Sequence, residues 1–299
     1  MNEALLPFLG GPWQLSMGLR RLEPDDWLVI NAQHARQMRE RERLLAERRG
    51  EVVAAVAGSE PACAEVLALL VEFLPRRFPE RWQQADGALV DRLDERRIEL
   101  GSEPPLVTAG RLVQEDLCVM RKGPEGYELA AAVLCFPSHW SLAEKVGQPM
   151  ARIHAPVPGF DERLGPTADR FLAALTAERP VWRINWAISE TDELFLPAHR
   201  ARRPFDPEQP VERQLHLRIE RQTLRRLQRS GDILFTIHTT VTPIGTAIAK
   251  SSHARALAER IREMPERMAS YKGFHVMGPP LLAWLDRLAG DELPAGGPG

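Results

Sequence analysis

The sequence predicts an α+β fold organised around an antiparallel sheet, and three observations predict it. The first third is helix-patterned and Arg-rich, with no strand pattern before about residue 111. Five β-patterned segments follow, a pair and then a group of three, separated by about 44 residues without strand character. Strand–helix–strand alternation at regular spacing, the mark of a doubly wound parallel sheet, is missing.

Residues 1–24 read as an irregular arm punctuated by Pro7, Gly10, Gly11, Pro12 and Pro24. A helix is expected from Asp25, which with Asp26 can cap it; Trp27, Ile30 and His34 recur at helical spacing, and Gly50 ends the run RQMRERERLLAERRG. That run alternates in sign, as a solvated helix face does. A second amphipathic helix covers about 61–74 and stops at Pro75, and RRFPERW and GALVDRLDERRIEL continue the helical pattern. RLVQEDLCVMR (111–121), the turn KGPEGY and ELAAAVLCF (128–136) form a hairpin. Its second arm is apolar on both faces and should be buried on both. Past Pro137 come a short helix in SHWSLAEKVG capped by Ser141, the Pro-rich QPMARIHAPVPGF, and a helix over about 168–177. Three strands follow, VWRINWAIS (181–189), QLHLRIERQTLRRL (214–227) and DILFTIHTTVT (232–242), the last two joined tightly enough by LQRSGD for a hairpin. After Pro243 a last helix runs over about 251–268, capped by Ser251 or Ser252, and the tail DELPAGGPG has the composition of a disordered end.

Two hairpin strands, a helical crossover and three meandering strands make the strand plan of a PAS-like fold. This is a five-stranded antiparallel sheet whose crossover helices hold a small molecule against one face, here preceded by an N-terminal helical extension and followed by a C-terminal helix. The expected units are 1–110 (arm and extension), 111–275 (PAS-like core with its helix) and 276–299 (C-terminal segment and tail), packed as one. Such a plan hosts many functions.

Composition narrows them. Lys plus Arg is 39 against Asp plus Glu 41, so a net charge of −2 gives no basic field for nucleic acid or anionic lipid. No run of about 18 apolar residues exists to span a bilayer, and no signal peptide is visible, so the expectation is a cytoplasmic protein with neither nucleic-acid nor membrane partner. Cys63, Cys118 and Cys135 lie far apart without CxxC, which excludes an all-Cys zinc or iron–sulfur site within the chain. Only Lys122, Lys145, Lys250 and Lys272 of the 39 basic residues are lysine; Arg is the better bidentate partner for carboxylates, and a codon bias toward Arg is the plainer reading. GxGxxG, GxxxxGK[ST], GxSxG and HExxH are absent, so dinucleotide, P-loop and serine-hydrolase readings fall away. Without CxxCH any heme would be held non-covalently.

What remains is polar residues on strands. Alternation sends Arg183 and Asn185 to one face of their strand, and His216, Arg218, Glu220 and Gln222 to one face of the next. On the third, Thr236, His238 and Thr240 oppose Phe235 and Ile237. If the strands are neighbours, one sheet face carries a continuous polar patch: either a wet outer face with cross-strand Arg–Glu pairs, or a buried pocket in which Arg218 or Arg183 needs Glu220 beside it. In the crossover, His154 in ARIHAPVPG sits where ligand-holding helices of a PAS-like fold lie, and neutral imidazole is the usual nitrogen ligand of heme iron. His139 in PSHW is its nearest competitor.

The strings QEDLCVM, CFPSHWSLAEKVG, IHAPVPG, RINW, ERQTLRRL with SGDILFTI, and MASYKGF together resemble the heme-dependent oxidative N-demethylase family, from MGLRRLEPDDWL to YKGF. The resemblance implies a heme-binding PAS-fold subunit that demethylates dimethylamine, working with partner subunits that carry FMN and a 2Fe–2S cluster and are fed by NADPH. It implies non-covalent heme b on His154 as the metal ligand, with Arg218, Arg221 and Thr236 on the cofactor and Arg183, Asn185, Glu220 and Gln222 as catalytic candidates. It implies O2 and a small secondary amine as substrates and a flavin/iron–sulfur reductase as partner. Thr240 and His139 depart from the family pattern, the first standing where an aromatic is usual, which bears on amine preference. The mechanism so implied is oxidation at the heme, with polar donors placed where negative charge develops on oxygen. Two other readings stay open: a heme PAS gas or redox sensor without turnover, and a heme-free module for another small ligand.

Overall fold

A computed structural model describes residues 5–160 and 164–290, and the tail expected to be disordered lies outside them. Among the described residues the strands are β1 (Arg20–Arg21), β2 (Val53–Ala55), β3 (Trp82–Ala85), β4 (Ala88–Asp91), β5 (Arg96–Glu99), β6 (Asp116–Gly123), β7 (Gly126–Val133), β8 (Val181–Ser189), β9 (His216–Arg226) and β10 (Ile233–Pro243). Seven form one antiparallel sheet in the order β1-β8-β9-β10-β6-β7-β2, and β3-β4-β5 form a second. The predicted hairpin and meander are therefore present, and β10 closes the meander against β6. Short strands from the first third extend the sheet at both edges, making it larger than the five strands expected.

The helical reading of residues 76–99 is corrected. Asp86 and Gly87 form a two-residue connection between paired Ala85 and Ala88, with Gly87 at φ 64. An Asp-Gly pair is a strong hairpin signal, and β-branched content too low to flag the four-residue arms let helical spacing dominate. Helix boundaries also move. The first long helix starts at His34 rather than Asp25, because Pro24–Asp26 is a separate 3-10 turn. The second, Glu60–Arg77, runs through Pro75 for its last turn. A helix, Pro105–Gly110, occupies the approach to β6, which begins at Asp116 rather than 111. The last helix breaks before Pro265, as a missing N–H requires, into Ser251–Glu263 and Glu266–Tyr271, and Phe274–Gly290 adds a further helix.

Packing on the two sheet faces sets up the site. Residues directly opposite on paired strands share a face. One face carries Leu117, Val119, Leu234 and Trp182 against the N-terminal helices, and Ile184, Trp186 and Ile219 against the C-terminal helices. The other carries Cys118, Met120, Leu224, Phe235 and Ile237 against the crossover, which supplies Leu142, Met150, Ile153, Phe171 and Leu172. Among the described residues no helix is long and apolar enough to cross a membrane.

Candidate functional site

Register decides which candidates meet. Arg183 is opposite Gln222, Asn185 opposite Glu220 and Ala187 opposite Arg218, so these polar residues of β8 and β9 share the crossover face. Glu220 is the hub. Its Oε2 accepts from Asn185 Nδ2 and from Gln222 Nε2, each at 3.2 Å, and its Oε1 accepts from Arg218 Nε at 3.3 Å. Arg218 is 2% exposed and its guanidinium also donates to the carbonyls of Phe136 and Leu194, at 2.6 and 3.4 Å, tying β9 to the start of the crossover and to the loop after β8. A buried guanidinium needs that full set of acceptors. Burial pushes Arg183 below its ordinary value, with Glu220 pulling the other way.

The continuous patch over three strands does not form as expected. Thr236 is opposite Thr223 and His238 opposite Arg221, which puts Thr236, His238, Thr240 and Arg221 on the far face from Glu220. Thr236 shares a 2.6 Å hydroxyl–hydroxyl hydrogen bond with Thr223. Arg221 donates to the carbonyls of Trp27 and Asp26 and stacks over Trp182. His238 meets Glu115 at 3.2 Å and Asn31 at 3.0 Å. Burial opposes the charge on Glu115, yet His238 and the Val29 N–H hold its carboxyl below the usual range. Arg221, expected on the cofactor, thus fastens the N-terminal segment to the sheet's other face, and Thr236, also expected there, joins β10 to β9 on that face. The inversion has a simple cause: Thr236 and Glu220 each alternate as predicted, but alternation within a strand does not give the register between strands.

His154 ends the short helix Met150–His154 on the crossover. Its Nδ1 donates to the Met150 carbonyl at 3.0 Å, and its ring stacks on Phe160 with centroids 4.5 Å apart and 14° between planes. A carbonyl only accepts, so Nδ1 carries the proton of this bond, which makes Nε2 the nitrogen through which the ring would ligate a metal. His139 sits at φ 59, with its N–H on the Leu196 carbonyl at 2.6 Å. Burial, then the charges of Arg202 and Arg218, push its ring down to about 4, so it is neutral at pH 7.

Two observations test whether these residues fit a heme. Leu224, Phe235 and Ile237 from the sheet and Ile153, Phe171 and Trp140 from the crossover are only half-buried, and they form the apolar boundary, the slot, along which a flat group would lie. On the same sheet face Arg183 Nε and Thr239 Oγ1 are buried without a partner among the described residues. Apolar residues on both sides, a guanidinium whose Nε has no described acceptor and a histidine next in the chain to Ile153 are the chemistry that a flat macrocycle bearing carboxylates calls for. The residues fit.

Sequence reasoning missed Lys272. Its Nζ donates to the Trp186 carbonyl at 2.6 Å and lies 5.3 Å from the Trp186 ring centroid. Burial pushes its ammonium down to about 8, against the pull of Glu220 and with the push of Arg183. Neighbouring Tyr271 is raised by burial and by Glu220. The scarcity of lysine and the string MASYKGF both pointed at this position.

The remaining concentrations of charge are structural. His34, Asp91 and Asp94 bring ligand-type atoms within 4.8 Å of one another, but the Arg81 guanidinium already pairs with both carboxylates. A cleft of about 780 Å³ between helix His34–Glu47 and the 193–200 loop is lined by Arg36, Arg43, Arg48 and Arg200, which pair with Asp192, Glu40 and Glu47, Glu51, and Glu193.

A family model described as haem-dependent oxidative N-demethylase, alpha subunit-like, matches residues 18–282. The chain belongs to that family. The match spans both faces of the sheet and takes in His154, the Glu220 cluster and Lys272. The family's description names heme dependence, which agrees with the slot, and an alpha subunit, which makes partner chains an expected part of the system.

Proposed function

We propose that the chain is the heme-bearing subunit of an oxidative demethylase acting on a small secondary amine, with O2 as oxidant and electrons from a separate NADPH-linked flavin/iron–sulfur reductase. The single observation that carries the reading is the Glu220 cluster beside the apolar slot. A carboxylate oriented by Asn185, Gln222 and Arg218 is an ammonium receptor next to the apolar residues that would contact a cofactor. The hairpin, crossover and meander, with β10 closed on β6, support the PAS-like reading of the sheet.

In this reading His154 holds heme b through Nε2, its Nδ1–H fixed by Met150, while Arg183 takes a heme carboxylate. Bound there, the heme supplies the oxidising chemistry, which the side chains alone lack. The chain's own residues do the rest. Glu220 binds the amine cation and holds its methyl group toward the slot. Asn185 and Gln222 keep the carboxylate from rotating, which is worth orders of magnitude in rate when a reacting group must sit within a fraction of an ångström. Thr239 Oγ1, buried and without a partner among the described residues, offers a donor where negative charge develops. The apolar walls limit water. The overall change converts the N-methyl amine, O2, two electrons and two protons into the demethylated amine, formaldehyde and water.

Protein expressed with adequate iron and heme precursor is expected to show a Soret band and, with a flavin/iron–sulfur reductase and NADPH, amine-dependent formaldehyde release. No Soret band would overturn the reading. A Soret band with no turnover on any small secondary amine would leave a gas or redox sensor instead.

A further inference from the structure

Charge around Glu220 does not balance for a simple ammonium ligand. Arg218 is committed to Glu220 and two carbonyls. With Arg183 assigned to a heme carboxylate, Lys272 remains, and it feels Glu220. Lys272 forms no ion pair among the described residues, and its described acceptor is one neutral carbonyl. Its placement is enforced by the sheet. β1 covers only Val181 and Trp182 of the β8 edge, so the Trp186 carbonyl has no neighbouring strand, and the Lys272 ammonium takes that position. Trp186 is the residue after Asn185, whose amide holds Glu220. The fold therefore fixes an ammonium and a carboxylate around adjacent residues of one strand.

Both groups have capacity left. An ammonium has three N–H donors and one is described as used. A carboxylate has about four acceptor positions, and Glu220 uses three, on Asn185, Gln222 and Arg218. Dimethylammonium would satisfy Glu220 but face the positive charge of Lys272, and like charges brought together disfavour the wrong ligand.

We propose that the Glu220 site takes a zwitterionic secondary amine, an N-methylated amino acid, with its ammonium on Glu220 and its carboxylate on Lys272. This rests on the demethylase reading and names its substrate class. The reaction balances as before. The N–CH3 carbon leaves as formaldehyde with one oxygen atom of O2, the other becomes water, and the reductase's two electrons with two protons complete the change. The free amino acid is the second product. Burial that brings the Lys272 ammonium to about 8 leaves it mostly charged at pH 7, as pairing with a carboxylate requires.

The test titrates the heme-loaded protein at pH 7 with N-methylglycine and, separately, with dimethylammonium, read by calorimetry and by the Soret shift. Wild type is expected to bind N-methylglycine at least tenfold more tightly. Lys272→Met, and Lys272→Gln as a milder second variant checked for folding by circular dichroism, should lose that preference and bind dimethylammonium as well as wild type or better. Lys272→Arg should keep it. Equal or reversed preference in wild type, or an unchanged preference in both Lys272 variants, would overturn the proposal. Loss of the heme spectrum altogether would count against the demethylase reading, and calorimetry on the same chain would still decide the preference.

Discussion

Asn185 and Glu220 stand directly across the β8–β9 ladder from one another, and the amide donates to the carboxylate at 3.2 Å. The pair meets because the register holds two polar residues opposite each other, between Arg183 with Gln222 on one side and Arg218 on the other. With Gln222 and Arg218 on the same carboxylate, Glu220 cannot turn away from the slot. Glu220→Gln keeps the shape and removes the charge. Truncating one partner of a buried charge pair costs about 2–5 kcal/mol, so amine affinity at constant heme content should fall at least tenfold. Amine titration of the two proteins, matched by Soret absorbance, checks this; an unchanged affinity would remove Glu220 from the amine site.

The two crossover histidines separate by geometry. His154 donates from Nδ1 to the Met150 carbonyl, which makes Nε2 the nitrogen that would ligate a metal, whereas His139 feels the charges of Arg202 and Arg218. Metal ligation is expected at the first. His154→Ala should lose heme during purification, and His139→Ala should retain it at near wild-type occupancy. The ratio of Soret to protein absorbance reads this directly, and the reverse result moves the ligand to His139.

His139 gives a pH dependence of known sign. Its folded value, about 4, lies below the 6.5 of an exposed imidazole. Between those limits the unfolded chain binds more protons, so stability falls as pH drops from about 6.5 to about 4 and this contribution then levels off. Asparagine tolerates the φ of 59 better than most residues. His139→Asn should therefore fold and show a shallower loss of melting temperature over that window, measured at matched ionic strength.

Much of this was legible in the sequence because the signals were local. β8 matches its predicted bounds, 181–189, since VWRINWAIS alternates cleanly, and β9 and β10 agree within two residues. Alternation alone puts Glu220 and Gln222 on one face of their strand and Asn185 with Arg183 on one face of theirs; only the register joins the two. Non-local facts were not legible. Nothing in ILFTIHTTV says that Thr236 pairs with Thr223 rather than standing beside Glu220. The edge strand Val53–Ala55 owes its pairing to β7, not to its own three residues. Lys272 escaped because its meaning depends on a carbonyl 86 residues away, on a strand edge that only the finished sheet leaves open.

Arg41 and Asp116 show what that sheet costs to hold together. Both are essentially without exposure, and Arg41 donates to Asp116 Oδ1 at 2.9 Å and to the Gln114 carbonyl at 2.7 Å. The same carboxylate accepts the N–H groups of Cys135 and Phe136, at 2.8 and 2.9 Å, just where β7 hands over to the crossover. One carboxylate thus joins the first long helix, the start of β6 and the root of the segment that carries His139 and His154. Burial pushes its pKa up, with the Arg41 charge opposing. Asp116→Asn preserves the volume, but it leaves the guanidinium buried without a counter-charge and replaces one acceptor oxygen with an NH2 that cannot accept from Cys135 or Phe136. Breaking a buried ion pair in this way costs about 3–5 kcal/mol, against a total stability of about 5–15 kcal/mol for a typical domain. Urea denaturation should show a midpoint lowered accordingly, with heme occupancy falling alongside it because the crossover loses its anchor. A midpoint within about 1 kcal/mol of wild type would mean that Arg41 finds other acceptors and that the joint is not held by this pair.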